Sequence, residues 1–191
     1  MDFLIERIKY MDMDLDDRRA GYVCKNSYIT LDDIPTWTEY SMNINRIQCS
    51  SEYTIDKRLN NKVSIFVGDI TTLEIDVIVN SAHLSSFLDG AYFRVDTPIY
   101  KAGGESLAAE CISLKGCPKG EAKFTGGYRL PARYVIHTVG PMGEQPDILR
   151  SCYLNSLNLA KRKGWKTIAF PCIATAGYQY PREKAPHVAS K

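Results

Sequence analysis

The stretch "IDVIVN" (75–80) is a short run of apolar, mostly β-branched residues. It opens into the long loop "NSAHLSSFLDGAYFRVDTPIYKAGG" (80–104), which precedes the helical pattern "ESLAAECISLKG" (105–116). A strand, a long loop and a helix in this order are typical of α/β proteins, which hold small ligands at the carboxyl ends of their strands. The order therefore predicts a ligand site beside Asn80.

Other segments have the same composition and predict further strands covered on both faces. They are "VSIFV" (63–67), "RYVIHTVG" (133–140) and "TIAFPCI" (167–173). Helices are predicted over 105–115 and over 147–163, the second with Asp147 as its N-cap and Gly164 as its end. Strands that alternate with helices predict a three-layer α/β domain.

The N-terminal region has a different pattern. Apolar residues recur at helical spacing over 3–19, which predicts one amphipathic helix, and an irregular lead-in follows over 20–61. We expect this region to pack on the domain, although a helix of this kind can also bind a partner protein. The predicted organisation is an N-terminal helix and lead-in over 1–58 and the main domain over 59–191.

Charge and length exclude several classes of protein. The chain of 191 residues carries 24 Lys and Arg against 22 Asp and Glu, a net charge of +2, which does not favour nucleic acid as a partner. Its longest apolar runs are too short to cross a membrane, and its acidic start is unlike a transit or signal peptide. We expect a monomer in the nucleus or the cytoplasm.

The six cysteines are not spaced as metal ligands, since no Cys-x-x-Cys pair occurs. We therefore expect no metal and no cofactor. Cys111, Cys152 and Cys172 lie in apolar patterns and are predicted to be small core residues. Free thiols of this kind are typical of a reducing compartment.

Two further segments offer polar groups to a ligand. Asp69, in "GDI" (68–70), can accept a hydrogen bond from an exocyclic amine, but it can equally cap a turn. The small residues of "IATAGYQYP" (173–181) can point backbone N–H groups at an anion, or form an ordinary turn. With Asn80 these segments suit a nucleotide diphosphate. No P-loop, dinucleotide-binding glycine motif or Gly-x-Ser-x-Gly elbow is present.

Three long stretches resemble the macrodomains, in particular the MacroD type. They are "GDITTLEIDVIVN" (68–80), "GCPKGEAKFTGGYRLPARYVIHTVGP" (116–141) and the region from "RSCYLNSLNLA" to "IAFPCIATAGYQYP" (150–181). The resemblance implies a three-layer α/β/α fold with a mixed central sheet that lacks the family's C-terminal helix, strand and helix. It also implies binding of ADP-ribose, and metal-independent hydrolysis of mono-ADP-ribose from acidic side chains of proteins and of O-acetyl-ADP-ribose.

The resemblance also assigns roles to individual residues. Asp69 would hold the adenine amino group beside the backbone of Ile70, and Asn80 and Val95 would also contact the ligand. Asp96 would orient or deprotonate the attacking water. His83 takes the position that contacts the distal ribose. The loop that would cradle the diphosphate and the distal ribose consists of Ala174, Thr175, Ala176, Gly177 and Tyr178.

Departures from the family leave alternatives open. The family has Asn at the position of His83 and glycines where this chain has "DGAYFR" (89–94), and Ala176 and Gln179 also replace glycines. An alanine held at positive φ costs on the order of 1 kcal/mol. Three alternatives are therefore open. The chain is a hydrolase that uses Asp96, an ADP-ribose reader with weak or no activity, or a product too incomplete to fold.

Overall fold

The computed structural model describes residues 2–43, 55–82 and 98–190. The strands are β1 (Ile29–Thr30), β2 (Leu73–Glu74), β3 (Val77–Ala82), β4 (Ala122–Gly126), β5 (Tyr134–Val139) and β6 (Ile168–Ala169). The helices are α1 (Phe3–Asp12), α2 (Leu15–Gly21), α3 (Trp37–Met42), α4 (Lys57–Asn60), α5 (Pro98–Gly103), α6 (Glu105–Ser113), α7 (Pro146–Lys163) and α8 (Ala185–Ala189). A 3₁₀ turn, Ile70–Thr72, precedes β2. Within these residues no helix is long and apolar enough to cross a membrane.

The central sheet has the strand order β4-β5-β3-β6. Strand β3 runs parallel to β5 and β6, whereas β4 is antiparallel to β5, so the sheet is mixed as expected. The inner strands are apolar because both faces are covered: Val77, Ile78 and Val79 are completely buried. This rigid centre fixes the carboxyl end of β3, where the site is predicted.

Two strand predictions need correction. Residues 63–67 form no strand, because the Val63 carbonyl accepts a hydrogen bond from Trp37 of the lead-in at 2.6 Å, and Val67 is 92% exposed. The segment 167–173 contributes only Ile168–Ala169 to the sheet. Pro171 has no N–H for a ladder, and the backbone is left-handed at Ala174, so the chain turns away. Strand β4 was not predicted from composition, since "AKFTG" (122–126) is only weakly apolar.

Some helix ends differ from those that the sequence pattern predicts, because local capping determines them. Gln145 is the N-cap of α7, not Asp147, because Pro146 occupies the first turn, where its missing N–H costs nothing. Gly164 ends that helix at φ 74°, as predicted. The predicted helix over 3–19 is two helices, because the side chain of Asp14 accepts from the Asp17 N–H and starts α2.

The N-terminal helices lie against the domain through charged groups. Arg7 of α1 forms an ion pair with Glu110, which is 4% exposed and also accepts from the Gly126 N–H at 2.8 Å and the Tyr128 hydroxyl at 2.8 Å. Arg18 of α2 is buried, and its guanidinium donates to the Pro131 carbonyl at 3.1 Å. The boundary between residues 58 and 59 stays a prediction.

Candidate functional site

Two cavities border residues that are predicted to bind the ligand. The first, the loop cavity, has a volume of about 290 Å³. Its walls are Ser81, Ala82, Pro171, Cys172, Ala174, Ala176, Gly177 and Tyr178. The second, the Asp69 cavity, has a volume of about 250 Å³ and lies between the 3₁₀ turn, α5, the loop before β5 and the lead-in. The predicted diphosphate loop and the predicted adenine-binding carboxylate therefore each border a cavity.

The loop after β6 offers backbone donors to the loop cavity. The Ala174 N–H donates to the Ser81 hydroxyl at 3.2 Å, and the Ala174 carbonyl accepts from the Tyr180 N–H at 3.0 Å. These bonds fix the loop against the end of β3. Within the described part of the chain, the N–H groups of Ala176 and Gly177 have no acceptor. Two adjacent backbone donors of this kind suit an anion such as a phosphate.

Of the two residues that replace glycines here, Gln179 has the backbone expected for a glycine and Ala176 does not. Ala174 and Gln179 have left-handed backbone, with φ of 63° and 56°, whereas Ala176 does not. Ala174 closes the tight turn against β3, so it takes the conformation expected for a glycine. The Ala174 side chain packs against Gly140. A Cβ at position 140 would lie only 2.7 Å from the Cβ of Ala174, so a glycine there leaves room for it.

Tyr178 and Thr175 complete the predicted loop. Tyr178 is buried, lines the loop cavity, and its carbonyl accepts from the Gly143 N–H at 2.8 Å. Thr175 is partly exposed, and its hydroxyl donates to the Cys172 carbonyl at 3.0 Å. Cys172 itself is exposed, which corrects the prediction that it is a core residue; the chain turns it out beside Pro171 into the cavity wall.

Asp69 is both a cap and a candidate ligand. Its Oδ1 accepts from the N–H and the hydroxyl of Thr71, at 2.9 and 2.8 Å, and so starts the 3₁₀ turn. Its Oδ2 has no hydrogen-bond partner within the described residues, and the side chain is exposed to the Asp69 cavity. Ile70, next to it, is half-buried and packs on the core. The cap holds the carboxylate in place while one oxygen remains available.

Asn80 lies in a buried polar chain within the sheet. Its amide nitrogen, which can only donate, lies 3.2 Å from Nδ1 of His137, so Nδ1 accepts and the ring proton is on Nε2. Nε2 then donates to the Thr125 hydroxyl at 2.9 Å, and that hydroxyl donates to the Gly126 carbonyl at 3.1 Å. Burial lowers the pKa of His137 to about 3, so the ring is neutral. Whether Asn80 also contacts a ligand stays a prediction.

The predicted catalytic residues His83 and Asp96, and the predicted ligand residue Val95, lie outside the described residues. Their place in the chain is nonetheless informative. The described residues nearest to them on either side in the chain are Ala82, in the wall of the loop cavity, and Pro98, in the wall of the Asp69 cavity.

Several residues that border the cavities were not predicted. Arg129 and Lys101 place two positive charges at the Asp69 cavity, and Val23 and Cys24 of the lead-in form part of its wall. Ser81 holds the loop after β6. The apolar pattern carried no signal for them: Ser81 is a polar residue of β3, Lys101 lies in the short helix α5, and the others lie in irregular segments.

Comparisons with known proteins show which family the chain resembles. The Macro domain family matches residues 80–189. The chain is 46% identical over 177 residues to the ADP-ribose glycohydrolase MACROD1 of Mus musculus, covering 90% of this chain and 54% of that protein. It is 42% identical over 195 residues to the ADP-ribose glycohydrolase MACROD2 of Homo sapiens, covering 96% of this chain and 44% of that protein. The chain thus spans about half the length of these curated relatives.

A solved structure gives the same result for the fold. The Trypanosoma brucei macrodomain in complex with ADP-ribose superposes with a TM-score of 0.70 at 29% identity, over 96% of this chain and 80% of that one. The same macrodomain in complex with ADP has a TM-score of 0.74 at 32% identity, over 95% and 70%. The expected three-layer fold is confirmed, and the chain belongs to the macrodomain family.

Proposed function

We propose that this chain binds ADP-ribose and hydrolyses mono-ADP-ribose from acidic side chains of proteins, and O-acetyl-ADP-ribose, without a metal. The observation that carries the proposal is the 46% identity to an ADP-ribose glycohydrolase over 90% of the chain. The protein works in the nucleus or the cytoplasm as a monomer, with ADP-ribose or mono-ADP-ribosylated proteins as its partners.

The described residues would hold the two halves of the ligand. The free Oδ2 of Asp69 accepts from the adenine amino group, with the backbone of Ile70 beside it. The N–H groups of Ala176 and Gly177 donate to the diphosphate, and Tyr178 lies against the distal ribose. Held by Ser81, the loop needs no reorganisation to present its donors, which favours binding.

Hydrolysis would use the segment 83–97. Asp96 orients a water, or accepts its proton, while the water attacks either the anomeric carbon of the distal ribose or the ester carbonyl. His83 contacts the distal ribose. Attack at the anomeric carbon breaks its bond to the carboxylate oxygen, whereas attack at the carbonyl breaks the acyl C–O bond. In both cases one O–H bond of the water breaks, its hydroxyl joins the attacked carbon, its proton goes by way of Asp96 to the leaving group, and the products are ADP-ribose and the free carboxylic acid.

A second candidate is a reader that binds ADP-ribose without cutting it. His83 and the sequence "DGAYFR" (89–94) favour it, because a macrodomain has Asn and glycines at these positions and glycine lets backbone approach a ligand closely. These changes fall on the catalytic segment and leave Asp69 intact.

Titration of ADP-ribose into the purified chain by calorimetry, followed by a turnover assay on a mono-ADP-ribosylated glutamate peptide, separates the candidates. We expect one-to-one binding, and release of ADP-ribose that Asp96→Ala reduces at least a hundredfold. Asp32→Ala is the matched control, because Asp32 is an exposed carboxylate away from both cavities. Binding without release supports the reader. No binding by the folded protein refutes both.

A further inference from the structure

We infer that Val23 and Cys24, from the N-terminal lead-in, form the wall of the Asp69 cavity that contacts the purine base of ADP-ribose. The inference rests on the proposed function and deepens it, since it makes the N-terminal region part of the binding site. Both residues line the cavity together with Asp69. They lie 45 or more positions before Asp69 in the chain, in a segment with no other evident tie to the ligand.

Hydrogen bonds at Val23 and at residues just before it hold the lead-in in place. Arg19 makes two hydrogen bonds to the Glu74 carboxylate, at 2.9 and 2.7 Å, and the Tyr22 hydroxyl adds a third at 3.1 Å. The Val23 N–H donates to the Arg129 carbonyl at 3.3 Å. Glu74 lies two residues after the 3₁₀ turn that Asp69 caps, so its bonds hold the lead-in next to that turn.

The chemistry of the wall suits the face of a base. Val23 is 42% exposed although it is apolar, and the Cys24 thiol is partly buried beside it. Burial raises the pKa of this thiol above its ordinary value, so the thiol in this wall is neutral. A purine can place its ring against the apolar group and the sulfur while its amine donates to Oδ2 of Asp69.

Val23→Ala tests the contact. Removing two methyl groups from a base contact should weaken ADP-ribose binding about tenfold, by the usual contribution of a buried carbon. Val63→Ala is the matched control, because Val63 is 52% exposed and lines neither cavity. Equal melting temperatures of the two variants show that both fold, and Val63→Ala should bind like the unchanged protein.

Alkylation by N-ethylmaleimide, read at each cysteine by mass spectrometry, is the second measurement. Saturating ADP-ribose should slow modification of Cys24 at least fivefold, while Cys172 reports on the loop cavity. If ADP-ribose binds and protects Cys172, but the rate at Cys24 and the affinity of Val23→Ala are unchanged, the inference is wrong and the proposed function stands. If the unchanged protein does not bind at all, the proposed function itself fails.

Discussion

Lowering the pH should destabilise this protein through His137. The ring is completely buried, and its pKa of about 3 lies below the ordinary value of 6.5. The unfolded chain therefore takes up a proton near pH 6.5, whereas the folded protein does not. The contribution of this group to stability is complete above pH 6.5 and is lost as the pH falls towards 3. The loss is about 1.4 kcal/mol for each pH unit, or about 2.7 kcal/mol at pH 4.5.

Urea denaturation at a series of pH values, for the unchanged protein and for His137→Gln, measures this loss. Glutamine has no proton to gain, so the variant keeps every other titration and lacks this one. We expect the variant to be less stable at pH 7, because its amide cannot reproduce both ring hydrogen bonds. Its deficit should then shrink by about 1.4 kcal/mol per unit below pH 6.5.

Parallel curves for the two proteins would refute this reasoning, since they would show that His137 binds its proton equally in both states. If the variant does not fold, the His137 ring can be followed by NMR in the unchanged protein. Its C–H signals should keep the shift of a neutral ring down to pH 4.5. A titration near pH 6.5 would contradict the burial argument.

Two further substitutions have effects that follow from single features of the structure. Gln179→Gly should raise the free energy of unfolding by about 1 kcal/mol, because glycine adopts the φ of 56° without strain. Thermal melting should show a rise of a few degrees for this variant and none for the control Gln179→Ala. Glu110→Ala should lower the free energy of unfolding by about 3 kcal/mol, because it leaves buried hydrogen-bond donors without an acceptor. Arg58→Ala breaks an ion pair whose arginine is 90% exposed, so it should change the same quantity by less than about 0.5 kcal/mol in the same urea assay.

The buried part of the fold could be predicted from the sequence because burial leaves a regular pattern. Residues 75–80 and 133–140 are nearly continuous apolar runs, and they supply most of the two central strands, β3 and β5. Residues 63–67 have a similar composition, but a strand also needs a neighbouring strand that pairs with its backbone. Here the Val63 carbonyl accepts a hydrogen bond from Trp37 of the lead-in. Composition alone does not show which partner the backbone finds.

The site could be predicted only where a residue's own chemistry limits its role. Asp69 could be named as a candidate because a carboxylate after a Gly has few uses; it caps the 3₁₀ turn, and its role as a ligand stays a prediction. The loop at 174–178 could be named as a candidate because most of its residues are small. The left-handed position within it was misplaced, since it depends on how closely Ala174 approaches β3 and Gly140, and this distance is a property of the folded chain.

The buried polar chain also links the stability of the fold to the proposed chemistry. His137 receives a hydrogen bond from Asn80, at the end of β3 from which the segment 83–97 departs. Its ring also stacks on Tyr100 of α5, at 6.2 Å and 10°, and α5 begins where that segment ends. One neutral imidazole thus contacts both anchors of the segment that carries Asp96. A change that disturbs this ring should displace both anchors together. The proposed hydrolysis should then be lost before the proposed binding of adenine, because Asp69 lies in a separate turn.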